Sequence, residues 1–486
     1  MLKGVCVVYD NSCKPNYDIE NIIGDKSFAQ IIYKKKSLKE WYFEKLKSIY
    51  NINSIITIDD IYSLEAIIQK VEIMPQECKV IHLYSDNIVK LDDEFLTLMQ
   101  KAQYIKDNVI ISSEYGYSAI EFNNTSEYVS FLKLCSSTRD TKKSIKELKY
   151  DVLSTESFLN LNNLSNFLLF MTGGFDARFF NSLEGDEYTV TKTSSNKLKI
   201  KSEYTFYHLL PEEMKLWFVL PYNYVETKDT ASYTMERLHI TDIAIRWIHG
   251  AISIDEFRKL LKKVFYFINS RKSKYISIEE YNHISDNLYI DKVVSRIESL
   301  KNNAFFSTFE NYIKNSTNYK SIDKIVEEYK LLYRKSVQEV KCNNISVVGH
   351  GDLCFSNMLY NKDTMTLKLI DTKGALKEED IWTNPYYDIA KLSHSICGKY
   401  DFFNSGMYEI KLNESMKFEL NIEFDNSEYI NVFKEYLNEA GYSYKMTRIF
   451  EVSLFLSMLP LHMDNPQKVF GFLLNAINIM EGLKNE

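Results

Sequence analysis

Residues 347–371, VVGHGDLCFSNMLYNKDTMTLKLID, constrain this chain more than any other stretch, because several chemically distinct side chains fall on one short element. Apolar Val347 and Val348 lead into a polar loop. Met358–Tyr360 then opens a hairpin, Asn361–Lys362–Asp363 turns it, and Thr366–Ile370 returns it to Asp371. The loop carries His350, Asp352 and Asn357, and the hairpin puts Asn357 and Asp371 at the two ends of one rigid element. Two carboxylates and a carboxamide so placed suit phosphoryl transfer. One carboxylate receives a hydroxyl proton, while the carboxamide and the second carboxylate bind Mg²⁺, which neutralises charge on the phosphates. A single His-Gly-Asp is an ordinary turn, and a single Asp after an apolar run is an ordinary strand end. Their joint appearance, in order and on one hairpin, is what points to chemistry.

HGDLCFSNML followed by LID resembles the catalytic and metal-binding segment of the aminoglycoside phosphotransferase/choline kinase family, a branch of the protein-kinase-like fold. The resemblance implies ATP and Mg²⁺ as cofactors. It also implies Asp352 as catalytic base, Asn357 and Asp371 as Mg²⁺ ligands, and His350 as a support for the loop. Further on, NPYYDIAKLSHS resembles the family's later D-x-A element and implies a buried Asp388 that braces the catalytic loop. The spacing IDTKG to NPYYDIAKLSHSICGKYDF is similar to phosphotransferases encoded with bacterial surface-polysaccharide enzymes, which implies a role in making polysaccharide or capsule precursors. Cys354, His394 and Tyr387 read as packed side chains, not as nucleophile or ligands.

The kinase-like fold also needs an upstream lobe, and residues 156–235 supply its parts. MTGGFDARFF offers a turn over phosphates at Gly173 and Gly174, between two strands. Tyr188–Thr193 is an alternating strand carrying Lys192, and Glu203 follows in a helical pattern. In the kinase-like fold a strand lysine contacts the α- and β-phosphates and pairs with a helix glutamate, so Lys192 and Glu203 take those roles. TMERL at 234–238 resembles the hinge between lobes and places the backbone of Glu236 and Leu238 beside the adenine. From residue 239 the pattern is mostly helical, with capping boxes at Ser253–Glu256 and Ser277–Glu280. The expectation is an α+β bilobal kinase-like domain, with N-lobe and hinge at 156–238 and a C-lobe at 239–486.

Residues 1–135 alternate strand and helix signals. Val5–Tyr9, Ser54–Ile58, Lys79–Tyr84 and Val109–Ser112 read as buried parallel strands, and Ser37 with Glu40 forms a capping box between the first two. This predicts a three-layer α/β domain. Its order weakly resembles a sugar nucleotidyltransferase domain, but YDNSCKPNYD stands where a Gly-rich phosphate loop belongs. Without glycines the backbone amides cannot come close to a triphosphate. The domain is therefore either a degenerate relative or an unrelated α/β module; Asp10 and Asp86 could still bind a metal there, but read first as solvated strand-end residues. The polar stretch 136–155 reads as a linker.

Composition narrows the partners. A net charge of −7 with no dense Lys/Arg block argues against nucleic acid. Seven scattered cysteines without a C-x-x-C read as reduced thiols, and no apolar run is long enough for a membrane span, so a cytoplasmic enzyme is expected. Asp371 is followed by Thr372-Lys373 instead of Phe-Gly, and no A-P-E follows, which separates the chain from protein kinases. The acceptor is then a small-molecule hydroxyl on a sugar, a polyol or an amino alcohol. A choline-type acceptor would need an aromatic and acidic cage, for which Trp382, Tyr386, Glu378, Glu379 and Asp380 are the candidates. A bifunctional enzyme, with nucleotidyl transfer by the first domain, is the alternative. The oligomeric state has no sequence signature.

Overall fold

The computed structural model describes residues 4–49, 52–90, 92–114, 116–174, 181–186, 188–339 and 343–485. The chain forms two compact units, Met1–Asp176 with His249–Ala251, and Ala177–Ile248 with Ile252–Glu486.

The first unit is built on a six-stranded mixed sheet. Its strands are β1 (Val5–Asp10), β2 (Ile52–Ile58), β3 (Lys79–Tyr84), β4 (Val109–Ser113), β5 (Gly116–Phe122) and β6 (Asp151–Ser154), in the spatial order β2-β1-β3-β5-β4-β6. Every residue of β1 is buried, as a central strand covered on both faces requires. On one face, Cys6 and Val8 pack with Leu64, Ile67 and Phe131 from helices α2 (Leu64–Glu72) and α3 (Thr125–Thr138). On the other, Tyr9 meets Tyr42 of α1 (Leu38–Lys47), with ring centroids 5.5 Å apart. The predicted Ser37–Glu40 capping box opens α1. The three-layer expectation therefore holds, while β5 is a departure: it runs antiparallel to β3 and β4 in a sheet expected to be parallel.

The linker expected at 136–155 is instead structured. Helix α3 continues to Thr138, Arg139 closes it in the left-handed region at φ 55, and Asp140 caps α4 (Thr141–Ile145). Strand β6 then pairs in parallel with β4. All four residues of β6 are exposed, so no alternation betrays it in the sequence. The boundary between units falls after residue 176, and Phe158–Asn160 pairs antiparallel with Asn87–Val89 of the first unit. Gly173 and Gly174 also depart from expectation. They are the last residues of helix α5 (Leu164–Gly174), in the first unit, and not a turn between strands. The apolar run NFLLFM favours helix there; residues 175–180 lie outside those described.

The second unit opens with an antiparallel sheet of β7 (Asn181–Gly185), β8 (Thr189–Ser194), β9 (Pro221–Glu226) and β10 (Ala231–Glu236), ordered β7-β8-β10-β9 and flanked by helix α6 (Lys197–Leu209). Asn196 caps α6 by accepting from the Lys199 amide. A mostly helical part follows. Its core gathers side chains from α9 (Lys292–Lys301), α10 (Ile322–Glu339), α12 (Tyr444–Met458) and α13 (Pro466–Asn485), and Tyr289 stacks on Phe450 with centroids 3.9 Å apart. Among these helices sit strand β11 (Ile345–Val348), the hairpin β12 (Met358–Asn361) and β13 (Thr366–Leu369), and helix α11 (Tyr386–Ile396). Among the described residues, no helix is long and apolar enough to cross a membrane.

Candidate active site

The hairpin register decides what the site contains. Met358 lies opposite Leu369, and the Ile370 amide donates to the Asn357 carbonyl at 3.1 Å, so the two ends of the element come together. Asn357 and Asp371 thus emerge side by side. Asp371 takes the left-handed region at φ 55, which aspartate tolerates better than most residues.

Lys192 and Glu203 converge on the same place from the antiparallel sheet and its helix. The Lys192 Nζ lies 2.8 Å from Glu203 Oε2 and 2.7 Å from Asp371 Oδ1. Lysine and glutamate are almost fully buried, at 4% and 3% side-chain exposure, whereas Asp371 is 45% exposed. Burial works against the ammonium, but Asp371 and Glu203 outweigh it and hold Lys192 above the usual lysine range. Tyr233, on the neighbouring strand β10, donates its hydroxyl to Glu203 Oε2 at 3.0 Å and fixes the carboxylate from the other side. A pocket bordered by Glu203, Phe218, Tyr233, Met235, Leu369 and Asp371 lies against this pair. Glu236 ends β10, and Leu238 lies in the connection that leads to the next helix, α7 (Ile243–Ile248).

The loop bearing Asp352 is held by a buried carboxylate. Asp388 is fully buried; its Oδ2 accepts from the His350 amide at 3.0 Å and its Oδ1 from the Gly351 amide at 2.8 Å. Arg271, at the end of helix α8 (Ile254–Ser270), balances the charge with Nη1 2.9 Å from Asp388 Oδ2. Gly351 sits at φ 80, and a Cβ there would lie 2.5 Å from the Lys373 Cβ, so only glycine lets the loop close on Asp388. His350 ties this loop to the hairpin. Its Nε2–H donates to the Ile370 carbonyl at 2.9 Å, and its Nδ1 accepts from the Asp352 amide at 3.1 Å. Burial lowers its pKa, in keeping with a neutral imidazole.

Asp352 is 40% exposed and lies 2.8 Å from Lys391 Nζ. Burial pushes its carboxyl up, but Lys391, with help from His350 and Asn357, holds it below the usual carboxylate range. The Asn357 carboxamide donates to the Asp352 carbonyl at 2.8 Å, which leaves its oxygen for another partner. The structure thus assembles Lys192, Glu203, His350, Asp352, Asn357 and Asp371 within one unit. Gly173 and Gly174 fall in the other.

Sequence reasoning passed over three cations. Arg271 precedes Asp388 by more than a hundred residues, so no local signal pairs them. Lys292 lies 95 residues before Tyr387, which no local signal spans either. Lys391 stood inside the quoted segment, three residues after Asp388 and four after Tyr387, a spacing that shares a helix face. The candidate choline cage does not assemble. The Trp382 ring carries Lys274 Nζ 4.5 Å from its centroid, and the Tyr386 ring is buried against Tyr442 and Phe450. Cys354 is buried, with its thiol pushed up by burial, as suits a filler.

No protein-family profile and no curated protein sequence matches this chain. Solved structures of a thermostable mutant of aminoglycoside phosphotransferase APH(4)-Ia are distantly similar. The apo form is 12% identical, with a TM-score of 0.36 over 65% of this chain and 98% of that one. Its ternary complex with ADP and hygromycin B is 11% identical, with a TM-score of 0.36 over 65% and 97%. A ternary complex with AMP-PNP and hygromycin B is 10% identical, with a TM-score of 0.37 over the same shares. At that distance, function has to be read from the residues themselves.

Proposed function

We propose that this protein transfers the γ-phosphoryl group of ATP to a hydroxyl of a small sugar or polyol. The observation that carries this reading is the Lys192 ammonium, held between buried Glu203 and half-exposed Asp371 in the same unit as a braced Asp352. A lysine so fixed has one strong cationic face to offer phosphates. The donors also suit Mg²⁺, which takes one or two carboxylates plus substrate phosphates and keeps several waters. Asn357 and Asp371 are oxygen donors of that kind, and among the described residues no cluster of three or more His, Cys, Asp or Glu forms a protein-only cage. Bound there, Mg²⁺ would neutralise charge on the phosphates.

The remaining work falls to the chain itself. Lys192 orients the α- and β-phosphates. Asp352 orients the acceptor hydroxyl and takes its proton as the oxygen bonds to the γ-phosphorus and the bond from that phosphorus to the β–γ bridging oxygen breaks. The products are ADP and the phosphorylated acceptor. His350 and Asp388 keep Asp352 in place. The resemblance of the spacing IDTKG to NPYYDIAKLSHSICGKYDF to polysaccharide-locus phosphotransferases favours precursors of a surface polysaccharide as the setting.

ADP release by the full chain, measured across a panel of sugars, polyols and amino alcohols, tests this directly. Lys192→Ala should weaken both nucleotide affinity and turnover, because its charge acts in the ground state and the transition state alike. Lys199→Ala removes an exposed amine 3.5 Å from Glu203 and should change little. The opposite pattern would refute the placement of the nucleotide.

A further inference from the structure

Beyond Asp352 the second unit carries a short line of positive charge. Lys391 Nζ contacts Asp352 Oδ1, and its side chain is 16% exposed. One helical turn earlier, on the same face of α11, stands the buried phenol of Tyr387. On the far side of that phenol, Lys292 of α9 places its Nζ 2.9 Å from the Tyr387 hydroxyl and 5.4 Å from the ring centroid. Asp352 balances one of the two ammonium groups, and among the described residues no carboxylate pairs with the other, on Lys292. Burial, and Asp352 with it, raises the Tyr387 phenol's pKa, yet Lys391 and Lys292 outweigh both and lower it.

We infer that the acceptor carries an anionic group, a phosphate or a carboxylate, which Lys391 and Lys292 hold while its hydroxyl meets Asp352. This rests on the kinase reading above and narrows its substrate class to acidic sugars or polyols. Both lysines are geometrically committed to this corner, and neither is needed for the Lys192–Glu203–Asp371 constellation. A polycationic acceptor would meet like charge at both positions, and the alternative cationic cage around Trp382 is filled by Lys274. The products would be ADP and an acceptor bearing two acidic groups. The γ-phosphate is the other source of such an anion, and experiment separates the two.

The full chain, saturated with ADP·Mg²⁺, is titrated calorimetrically with glucose 6-phosphate, gluconate, glucose and glucosamine. The acidic probes should bind, with the neutral and basic ones at least about tenfold weaker. Lys391→Met and Lys292→Met should each weaken acidic-probe binding by about tenfold, the scale of one charge-assisted contact, and Lys292→Arg should restore most of it. Lys292 does not touch Asp352, so its variant separates ligand binding from any disturbance of the base; thermal melting checks that each variant is folded. Tighter binding of glucose or glucosamine, no binding of either acidic probe to the ADP-loaded chain, or acidic-probe binding unmoved in both methionine variants would each overturn the inference. So would a loss in those variants confined to AMP-PNP and absent for ADP, since the lysines would then serve the γ-phosphate. A wild-type chain that does not take up ADP·Mg²⁺ defeats the kinase reading itself, and the inference with it.

Discussion

Each unit holds two strand-end or loop aspartates, at least one of them paired with a lysine, yet their circumstances are opposite. In the first unit Asp10 and Asp86 are fully buried. Asp10 accepts from the Ser12 amide at 2.8 Å and the Thr141 hydroxyl at 2.6 Å, and it contacts His82 at 3.1 Å. Burial pushes that carboxyl up, but these partners, His82 foremost, hold it below the usual range. Asp86 accepts from the Asn87 carboxamide at 2.8 Å and is ion-paired with Lys142. Every one of these oxygens is already engaged. In the second unit Asp352 and Asp371 remain 40% and 45% exposed, each with one lysine and room for a further partner. Asp10 and Asp86 are saturated by the fold, whereas Asp352 and Asp371 keep the capacity in reserve that the roles proposed for them require. The expectation of solvated aspartates at positions 10 and 86 was therefore wrong, and their burial weighs against nucleotidyl transfer by the first unit.

Substituting one aspartate from each unit should break the comparison if it is mistaken. Asp371→Ala should abolish ADP release while melting close to wild type, since a half-exposed side chain is lost. Asp86→Ala should leave ADP release per folded molecule intact but cost about 3 kcal/mol of stability, because Lys142 is left without its buried partner. Activity assays and denaturant titration on the same preparations read both, and an exchange of the two phenotypes would refute the distinction.

A smaller effect is expected within the second site. Asp352→Asn keeps the shape and one acceptor oxygen but cannot take a proton, so kcat should fall on the order of 10³-fold with nucleotide affinity retained. The dissociative character of phosphoryl transfer sets a lower bound nearer to about 10²-fold. Early melting with normal turnover of the folded fraction would instead mark Asp352 as a turn residue.

What the sequence disclosed follows from where the signals lie. The hairpin and its polar residues are local, so their order along the chain nearly equals their arrangement in space. Lys192 and Glu203 were legible because a strand and the next helix bring them together over a short separation. Arg271 and Lys292 were not, since only tertiary packing carries them to Asp388 and Tyr387. In the first unit β1 and β3, buried along their whole length, stood out by their apolar runs, whereas β2 and β4, expected to be buried too, are only partly so. Exposed β6 had no such run, and nothing local told β5 to run the other way.

The smallest expected effect concerns an acid in the first unit that serves neither a ligand nor a pair. Burial pushes Glu121 on β5 up to about 7. Its folded pKa therefore exceeds the unfolded value of about 4.3, so the folded chain holds the proton more tightly. The stability it contributes is complete below about pH 4.3 and declines as pH rises through 7. Glu121→Gln should flatten that part of the stability profile by thermal melting across pH 4 to 8 and leave catalysis untouched; an unchanged slope would show that the proton is not retained.

The placement of residues 158–174 matters to anyone who would divide this chain. Phe158 packs edge-on against Phe95 at 5.8 Å, and Phe170 stacks on Tyr33 at 4.1 Å, both in the first unit. A cut at residue 155 would strip those aromatics from their partners and leave both pieces with bared apolar surface, a recipe for precipitation. Insoluble fragments from such a cut would say nothing about which half binds nucleotide. A division placed after residue 176 keeps the aromatic stack with its own sheet.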